Sequence, residues 1–276
     1  MTTTTVETTP RTRSQGGQGG AVARTSVGPV AATATLARQK VLAAFRSGDV
    51  VFAVLGPVVF FLCFYVPLHR QFELGGADYA QFLTPIILLQ AGLFTAITAT
   101  ESAGHDARAG VHERMMSLPI PRVTPFLGRM AWVVVRMVLA LAGGLAIGYA
   151  LGFRFEGSLW HTLVFMALVV VFGLALSMLT DAIGTVARNS VSIASILMIP
   201  QLILVMASTG LVPAEGFPDW AQPFVRNQPL SVFAGTLREL ATGTGIDLTA
   251  ALAWSAGLLA AGGAAIITAG RAQVKR

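Results

Sequence analysis

Six apolar segments, each long enough to cross a lipid bilayer as a helix, dominate this sequence of 276 residues. A transmembrane helix needs about 20 predominantly apolar residues. Only 12% of the residues are charged, against about 25% in an ordinary soluble domain, so polar groups could not cover a globular surface. We therefore predict an all-α polytopic membrane protein.

The predicted transmembrane domain covers residues 50–270 and contains six helices. The apolar blocks are much longer than a membrane β-strand of about 10 residues, and they do not alternate with polar residues, which favours helices over strands. The predicted spans are 50–68, 79–100, 126–151, 160–187, 191–212 and 248–270.

The segments that flank this domain differ in composition. Residues 1–30 are rich in Thr, Gly and Ala, which predicts a disordered tail. Residues 31–49 place apolar side chains on one helical face and basic ones elsewhere, which is typical of an amphipathic helix in the membrane interface. Residues 271–276 form a short basic tail.

The distribution of Lys and Arg predicts the orientation. Of the 19 basic residues, 14 fall on the side of the predicted bilayer that holds both termini, and four fall on the other side. Cytoplasmic loops carry the excess of Lys and Arg, so both termini are predicted to be cytoplasmic. The net charge of +6 then reflects topology, and it does not favour a nucleic-acid partner.

Three charged side chains fall inside predicted spans. Arg129 lies near a span end, from which it could reach the cytoplasmic surface, whereas Arg136 lies about 10 Å deeper. A charge at such depth usually has a partner, and we predict Asp181, with Glu101 as the second choice. The alternative is that Arg136 meets an anionic head group. The small number of charges within the spans favours an apolar or amphipathic cargo.

Several chemistries are unsupported by the sequence. The chain contains no Gly-Lys pair and therefore no P-loop for nucleotide phosphates. His112 and Glu113 begin a zinc-protease pattern, but Met116 stands where the second histidine belongs. Cys63 is the single cysteine. We predict no catalytic residue, no metal site and no cofactor bound by this chain.

The loop between the second and third predicted spans mixes charges of both signs. Residues 101–128 read ESAGHDARAGVHERMMSLPIPRVTPFLG. A short helix that ends before Pro119 fits this pattern, because the residue before a proline is disfavoured in the helical region. The loop is either a solvated connector or a docking surface for a cytoplasmic partner.

Two motifs carry a resemblance to a known family. The first is GVHERMMSLPIPR at 110–122, followed by Gly128 and Arg129. The second combines STGLVP at 208–213, PDWAQPF at 218–224, NQPLS at 227–231 and the pair Leu237-Arg238. Together with six spans, they resemble the permeases of ABC-2 type transporters, in particular the daunorubicin-resistance branch of actinobacterial drug and lipid exporters.

The resemblance implies a subunit without enzymatic activity in a larger complex of the plasma (inner) membrane. ATP and Mg²⁺ would bind a separate cytoplasmic ATPase dimer, and a second permease subunit, identical or related, would complete the pore. The segment between spans two and three would rest on the ATPase. The implied coupling residues are Glu101, Asp106, Arg108, Gly110, Glu113, Arg114 and Pro119.

The resemblance also implies short re-entrant or interfacial helices between spans five and six, on the outer side. The local prolines agree, because they prevent one long helix. These residues would either shape an outer gate or contact cargo. The implied gate residues are Pro213, Pro218, Trp220, Pro223, Asn227 and Pro229.

The function that follows is outward transport of a hydrophobic or amphipathic drug, polyketide or lipid, driven by ATP. One alternative is an exporter of polysaccharide or glycolipid, which would call for a wider and more polar lumen. The other is a membrane scaffold without transport activity, which would not co-purify with an ATPase.

Overall fold

The structure is a computed structural model, and it describes residues 29–74, 78–108, 124–187, 190–211, 214–245 and 247–274. Most of the predicted N-terminal tail and the last two residues of the predicted basic tail lie outside this part of the chain. Within it, all regular secondary structure is helical, as the sequence predicts.

Nine α-helices and one 3₁₀ turn, at Ala214–Gly216, make up the described residues. The α-helices are α1 (Pro29–Ser47), α2 (Asp49–Leu74), α3 (Tyr79–Arg108), α4 (Thr124–Ala150), α5 (Leu159–Val186), α6 (Ser190–Met206), α7 (Gln222–Asn227), α8 (Pro229–Thr242) and α9 (Thr249–Val274).

Five of these helices, α2, α3, α4, α5 and α9, are long and apolar enough to cross a membrane. They correspond to five of the six predicted spans. The fifth predicted span, 191–212, is a shorter apolar helix, α6, of 17 residues. The chain turns after Met206, and Ala207–Leu211 form no helix.

The start of the first span differs from the sequence-based boundary. Asp49, predicted to end the interfacial helix, is instead the first residue of α2. Gly48 separates α1 from α2 and has φ +77°, a left-handed conformation that a side chain disfavours. The break lets α1 leave the axis of α2, so Asp49 enters the bundle with α2.

The bundle has two ends. At the cluster end, α1 meets the end of α3, the start of α4 and the end of α5 through the side chains of Lys40, Asp106, Arg129 and Asp181. At the loop end, the α4–α5 loop joins the start of α3, where Gln81 and Arg154 exchange hydrogen bonds of 2.9 and 3.0 Å.

Helix α6 connects the two ends. It begins four residues after α5 finishes at the cluster end. After α6, Gly210 lies against Ile86, in the second turn of α3, near the loop end. The loop end also holds α8, because the Glu156 N–H donates to the Ala241 carbonyl at 2.8 Å.

Helix α3 is the centre of the bundle and is buried over most of its length. Its partner α5 approaches closely because small residues face each other. A Cβ on Gly92 would lie 3.3 Å from the Cα of Gly173, and a Cβ on Gly184 would lie 2.4 Å from the Thr100 carbonyl oxygen. Thr180 Oγ1 also donates to the Ala96 carbonyl at 2.6 Å. These contacts fix α3 against α5.

The outer helices expose large apolar side chains, as expected of surfaces that face lipid or another subunit. Helices α2 and α9 are buried over only a small part of their length. On α6, the exposed apolar residues are Ile196, Met198, Ile199, Leu202, Ile203 and Met206. A water-soluble protein rarely exposes such continuous apolar faces.

The close approach at Gly184 makes a testable prediction. Gly184→Ala should lower the midpoint of thermal unfolding of the detergent-purified protein, because its methyl group would displace the Thr100 backbone, and overpacking costs about 1–3 kcal/mol. Gly263→Ala is the matched control, since a Cβ there meets nothing within 4 Å. Equal midpoints for the two variants would contradict the packing of α3 on α5.

Candidate functional site

A buried ion pair joins α4 to α5 at the cluster end. Arg129 donates from Nε to Asp181 Oδ1 at 2.6 Å and from Nη2 to Asp181 Oδ2 at 2.9 Å. The two residues are only 8% and 1% exposed. Two parallel charge-assisted hydrogen bonds offset the cost of burying both charges. Arg129 therefore turns to a partner inside the bundle and does not extend to the surface, which its position near a span end would have allowed.

Two further charges extend this pair to α3 and α1. Asp106, near the end of α3, lies 3.7 Å from Arg129 Nη1. Lys40 of α1 donates to both oxygens of Asp106 at 2.8 Å. The Lys40–Asp106–Arg129–Asp181 cluster, called the charge cluster below, therefore links four helices and carries no net charge.

The predicted pair of Arg136 with Asp181 is wrong. Arg136 Nη1 donates to Oδ1 of Asp49 in α2, and Asp181 is occupied by Arg129. Among the described residues, Arg136 forms no ion pair with Glu101, the second predicted partner. The misassignment has a structural cause: Asp49 was placed outside the spans, whereas the break at Gly48 brings it into α2 beside α4.

The predicted coupling residues do not form one group. Asp106 belongs to the charge cluster, and Arg108 ends α3 with its Nε donating to the Gly104 carbonyl at 3.3 Å. Glu101 instead faces a pocket on another side of α3. The remaining four, Gly110, Glu113, Arg114 and Pro119, lie outside the described residues.

A pocket of about 290 Å³ lies between α2, α3, α4 and α6, near the lower end of the range of about 300–1,000 Å³ for small-molecule sites. Two of its lining residues, Phe52 and Met198, are 73% and 48% exposed. Its lining is mostly apolar, and the lining residues are Phe52, Ala53, Gly56, Pro57, Phe60, Ala91, Phe94, Thr95, Ile97, Thr98, Glu101, Arg136, Ala140 and Met198.

The predicted gate residues lie at the loop end where they are described. Pro223 and Pro229 occupy the first turns of α7 and α8, where a proline costs no helical hydrogen bond. Asn227 donates to the Pro223 carbonyl at 2.8 Å, and Pro218 accepts from Ala221. Trp220 is 84% exposed, and Pro213 lies outside the described residues.

Arg238 of α8 connects the loop-end segments to α3. It was not among the predicted site residues. Its guanidinium donates to the Phe82 carbonyl of α3 at 3.1 Å and to the carbonyls of Thr209 and Gly210 at 3.1 and 2.7 Å. Its Cζ also lies 3.6 Å from the centre of the Phe82 ring. Its position in the Leu237-Arg238 pair of the second sequence motif could have identified it as a site residue.

Comparison with known proteins gives a consistent family assignment. Residues 73–271 match the model of the ABC-2 family transporter proteins. The chain is 38% identical over 208 residues to the doxorubicin resistance ABC transporter permease protein DrrB of Mycobacterium tuberculosis, covering 72% of this chain and 71% of that protein.

Two further relatives are similar over comparable lengths. The daunorubicin resistance ABC transporter permease protein DrrB1 of Streptomyces coeruleorubidus is 32% identical over 209 residues, 75% of this chain and 74% of that protein. The probable doxorubicin resistance permease protein DrrC of Mycobacterium tuberculosis is 26% identical over 212 residues, 76% of each chain.

The charge cluster predicts a specific pattern of stability. Asp181→Asn should lower the free energy of unfolding by about 3–5 kcal/mol, because it leaves the Arg129 charge buried without its main partner. Replacing both residues with apolar ones, Arg129→Met and Asp181→Leu, should recover most of that loss. Thermal unfolding of the purified protein measures both effects.

The exposed ion pair of Arg226 with Glu215 at the loop end provides the control. Arg226 Nη2 lies 3.3 Å from Glu215 Oε1, and both side chains are largely exposed. Glu215→Gln should therefore change stability by less than about 1 kcal/mol. A double variant of the buried pair that is no more stable than Asp181→Asn alone would contradict the assignment of the pair.

Proposed function

The chain belongs to the ABC-2 family of transporter proteins, and on that premise we propose that it is the membrane permease of an ATP-driven exporter of apolar or amphipathic compounds. It is a multi-pass protein of the plasma membrane. In this family the ATPase is a separate chain, so the permease works in a complex with that subunit. The similarity to drug-resistance permeases is the observation that carries the proposal.

The proposed cargo class agrees with the pocket. Apolar and aromatic side chains form most of its lining, and two of them, Phe52 and Met198, are exposed. A compound dissolved in the bilayer could reach such a pocket laterally. Doxorubicin and daunorubicin, which the relatives' names mention, are therefore suitable first cargo probes for this chain.

We propose six spans, with both termini and the cluster end in the cytoplasm. Helix α6 then crosses the membrane as the fifth span although it is short. Its 17 residues give about 25 Å at 1.5 Å per residue, against a hydrocarbon core of about 30 Å. Its path from the cluster end to the loop end supports a crossing. The exposed Trp160 and Trp220 at the loop end suit a membrane interface.

We propose that the cluster end receives the ATPase. The segment 109–123 joins the end of α3 to the start of α4, so it attaches to the helices that carry Asp106 and Arg129. A force on this segment would act on the charge cluster and, through it, on α1 and α5. Glu113 and Arg114 remain the proposed contacts with the ATPase, and a second permease subunit, identical or related, completes the complex.

We propose that the loop end forms the outer gate. Three short elements, Ala214–Gly216, α7 and α8, lie between α6 and α9. Arg238 joins α8 to α3 by donating to the Phe82 carbonyl at 3.1 Å. Gln228, between α7 and α8, donates from Nε2 to the Leu204 carbonyl of α6 at 3.1 Å. Opening of the gate would require these hydrogen bonds to break or to move as a unit.

Coupling to the ATPase tests the function directly. The chain, co-expressed with its ATPase subunit, should co-purify with it and raise its ATP hydrolysis when doxorubicin is added. The double reversal of Glu113→Lys and Arg114→Glu should remove this stimulation while membrane insertion persists. The matched control is Arg70→Glu with Glu156→Lys, which reverses two exposed charges outside the proposed gate elements. Equal stimulation in both double variants would refute the coupling role.

Cysteine labelling tests the six-span topology. In a Cys63→Ala background, Asp219→Cys should react with a membrane-impermeant maleimide in intact cells, whereas Arg271→Cys should react only after permeabilisation. With five spans the two results would be exchanged, because α6 would not cross. Glu156→Cys, on the α4–α5 loop, is the positive control and should react in intact cells.

A further inference from the structure

We propose that the pocket between α2, α3, α4 and α6 selects cargo that carries a positive charge beside an aromatic ring system, with Glu101 as the carboxylate that binds the charge. The inference rests on the proposed exporter function and deepens it by naming a cargo class and a residue. It also gives Glu101 a different role from the ATPase contact that the family resemblance implies.

The first support is the charge balance of the pocket. Arg136 and Glu101 are the two charged residues of its lining. Arg136 is paired with Asp49, so its charge is compensated. Glu101 is exposed and has no hydrogen bond or ion pair within the part of the chain that the structure describes. The site therefore keeps one uncompensated negative charge, which attracts a cation and repels an anion.

Two positive charges near this end of α3, among the residues that the structure describes, already have acidic partners. Arg129 and Lys40 are held by the two carboxylates of the charge cluster, Asp181 and Asp106. Asp106 follows Glu101 by five residues, so it points to a different side of α3. His105 is exposed one turn further along the helix, and it is not part of the pocket lining.

The second support is the aromatic lining. Phe52 and Phe60 of α2 and Phe94 of α3 all line the pocket. The rings of Phe60 and Phe94 are 5.2 Å apart at an angle of 52°, an arrangement that can extend to a third, planar ring system. Aromatic faces also attract cations, so these rings and the carboxylate favour the same kind of ligand.

The third support is the lack of free hydroxyl donors. Thr95 Oγ1 donates to the Ala91 carbonyl at 2.8 Å, and Thr98 Oγ1 donates to the Thr95 carbonyl at 2.8 Å. Neither hydroxyl proton is then free for a polar neutral ligand such as a sugar. Recognition by the lining of α3 is left to aromatic contact and to the charge of Glu101.

The order of these groups along α3 fits an amphipathic cation. Glu101 lies toward the cluster end, and Phe94 lies seven residues deeper, about 10 Å along the helix axis. A cargo molecule could therefore insert its rings toward the membrane interior and keep its charged group near the cytoplasmic interface. A pocket of about 290 Å³ would hold the ring portion of such a molecule.

The test compares doxorubicin, which carries a protonated amine, with N-acetyldoxorubicin, which has the same rings and a neutral amide. Fluorescence titration of the purified permease–ATPase complex in nanodiscs gives a Kd for each compound. Wild type should bind doxorubicin more tightly than the neutral derivative. Glu101→Gln should raise the Kd for doxorubicin about tenfold or more, because charged hydrogen bonds contribute about 1.5–3 kcal/mol, and should change the Kd for the derivative less than twofold.

Two variants sharpen the result. Glu101→Asp should retain the preference for doxorubicin, because it keeps the charge. Glu156→Gln, an exposed loop-end substitution, should match wild type for both compounds. Equal Kd values for the two compounds in wild type and in Glu101→Gln would overturn the charge selectivity while leaving the exporter function intact. If neither compound bound or altered ATP hydrolysis, both the inference and the proposed cargo class would fail.

Discussion

A buried charge in a membrane protein must have a partner, and the pairing of Arg129 with Asp181 determines much of this structure. Neither charge could remain in the interior alone, so the position of α4 along α5 is constrained to one in which both hydrogen bonds form. Asp106 and Lys40 then add α3 and α1 to the same point. Ion pairs therefore join α3 and α4, the helices that flank the proposed ATPase contact, to each other and to α1 and α5. The direct packing of α3 on α5 depends mainly on small residues.

The two ends of the bundle are held in different ways. At the cluster end, the contacts are between charged side chains of four helices. At the loop end, Arg238 donates to three backbone carbonyls on two separate segments, and such contacts depend on the backbone being in place. This contrast agrees with a cluster end that responds to the ATPase and a loop end that moves as a unit. The pocket lies between them, beside the pair of Arg136 with Asp49.

Hydropathy predicted the fold class and five of the spans, because the length of an apolar helix is set by the bilayer and is visible in a single sequence. It did not predict the end of α6, since residues 207–211 are apolar enough to continue a span, and their turn depends on tertiary contacts such as Gly210 with Ile86. It also did not predict the ion pairs. Spacing gives the depth of Arg136 but not the direction in which it points, and a one-residue error at Asp49 removed its true partner from consideration. The role of Glu101 in the pocket likewise depends on which side of α3 faces α2.

Outward movement of an amphipathic compound by this chain should depend on ATP hydrolysis by a partner subunit. The most direct measurement is the uptake of doxorubicin into inverted membrane vesicles that contain this chain and its ATPase subunit, followed by fluorescence quenching. If this chain is the permease, uptake requires ATP, stops with a non-hydrolysable analogue, and is absent from vesicles that contain the ATPase subunit alone. Uptake of equal rate and extent with and without this chain would show that it is not the permease.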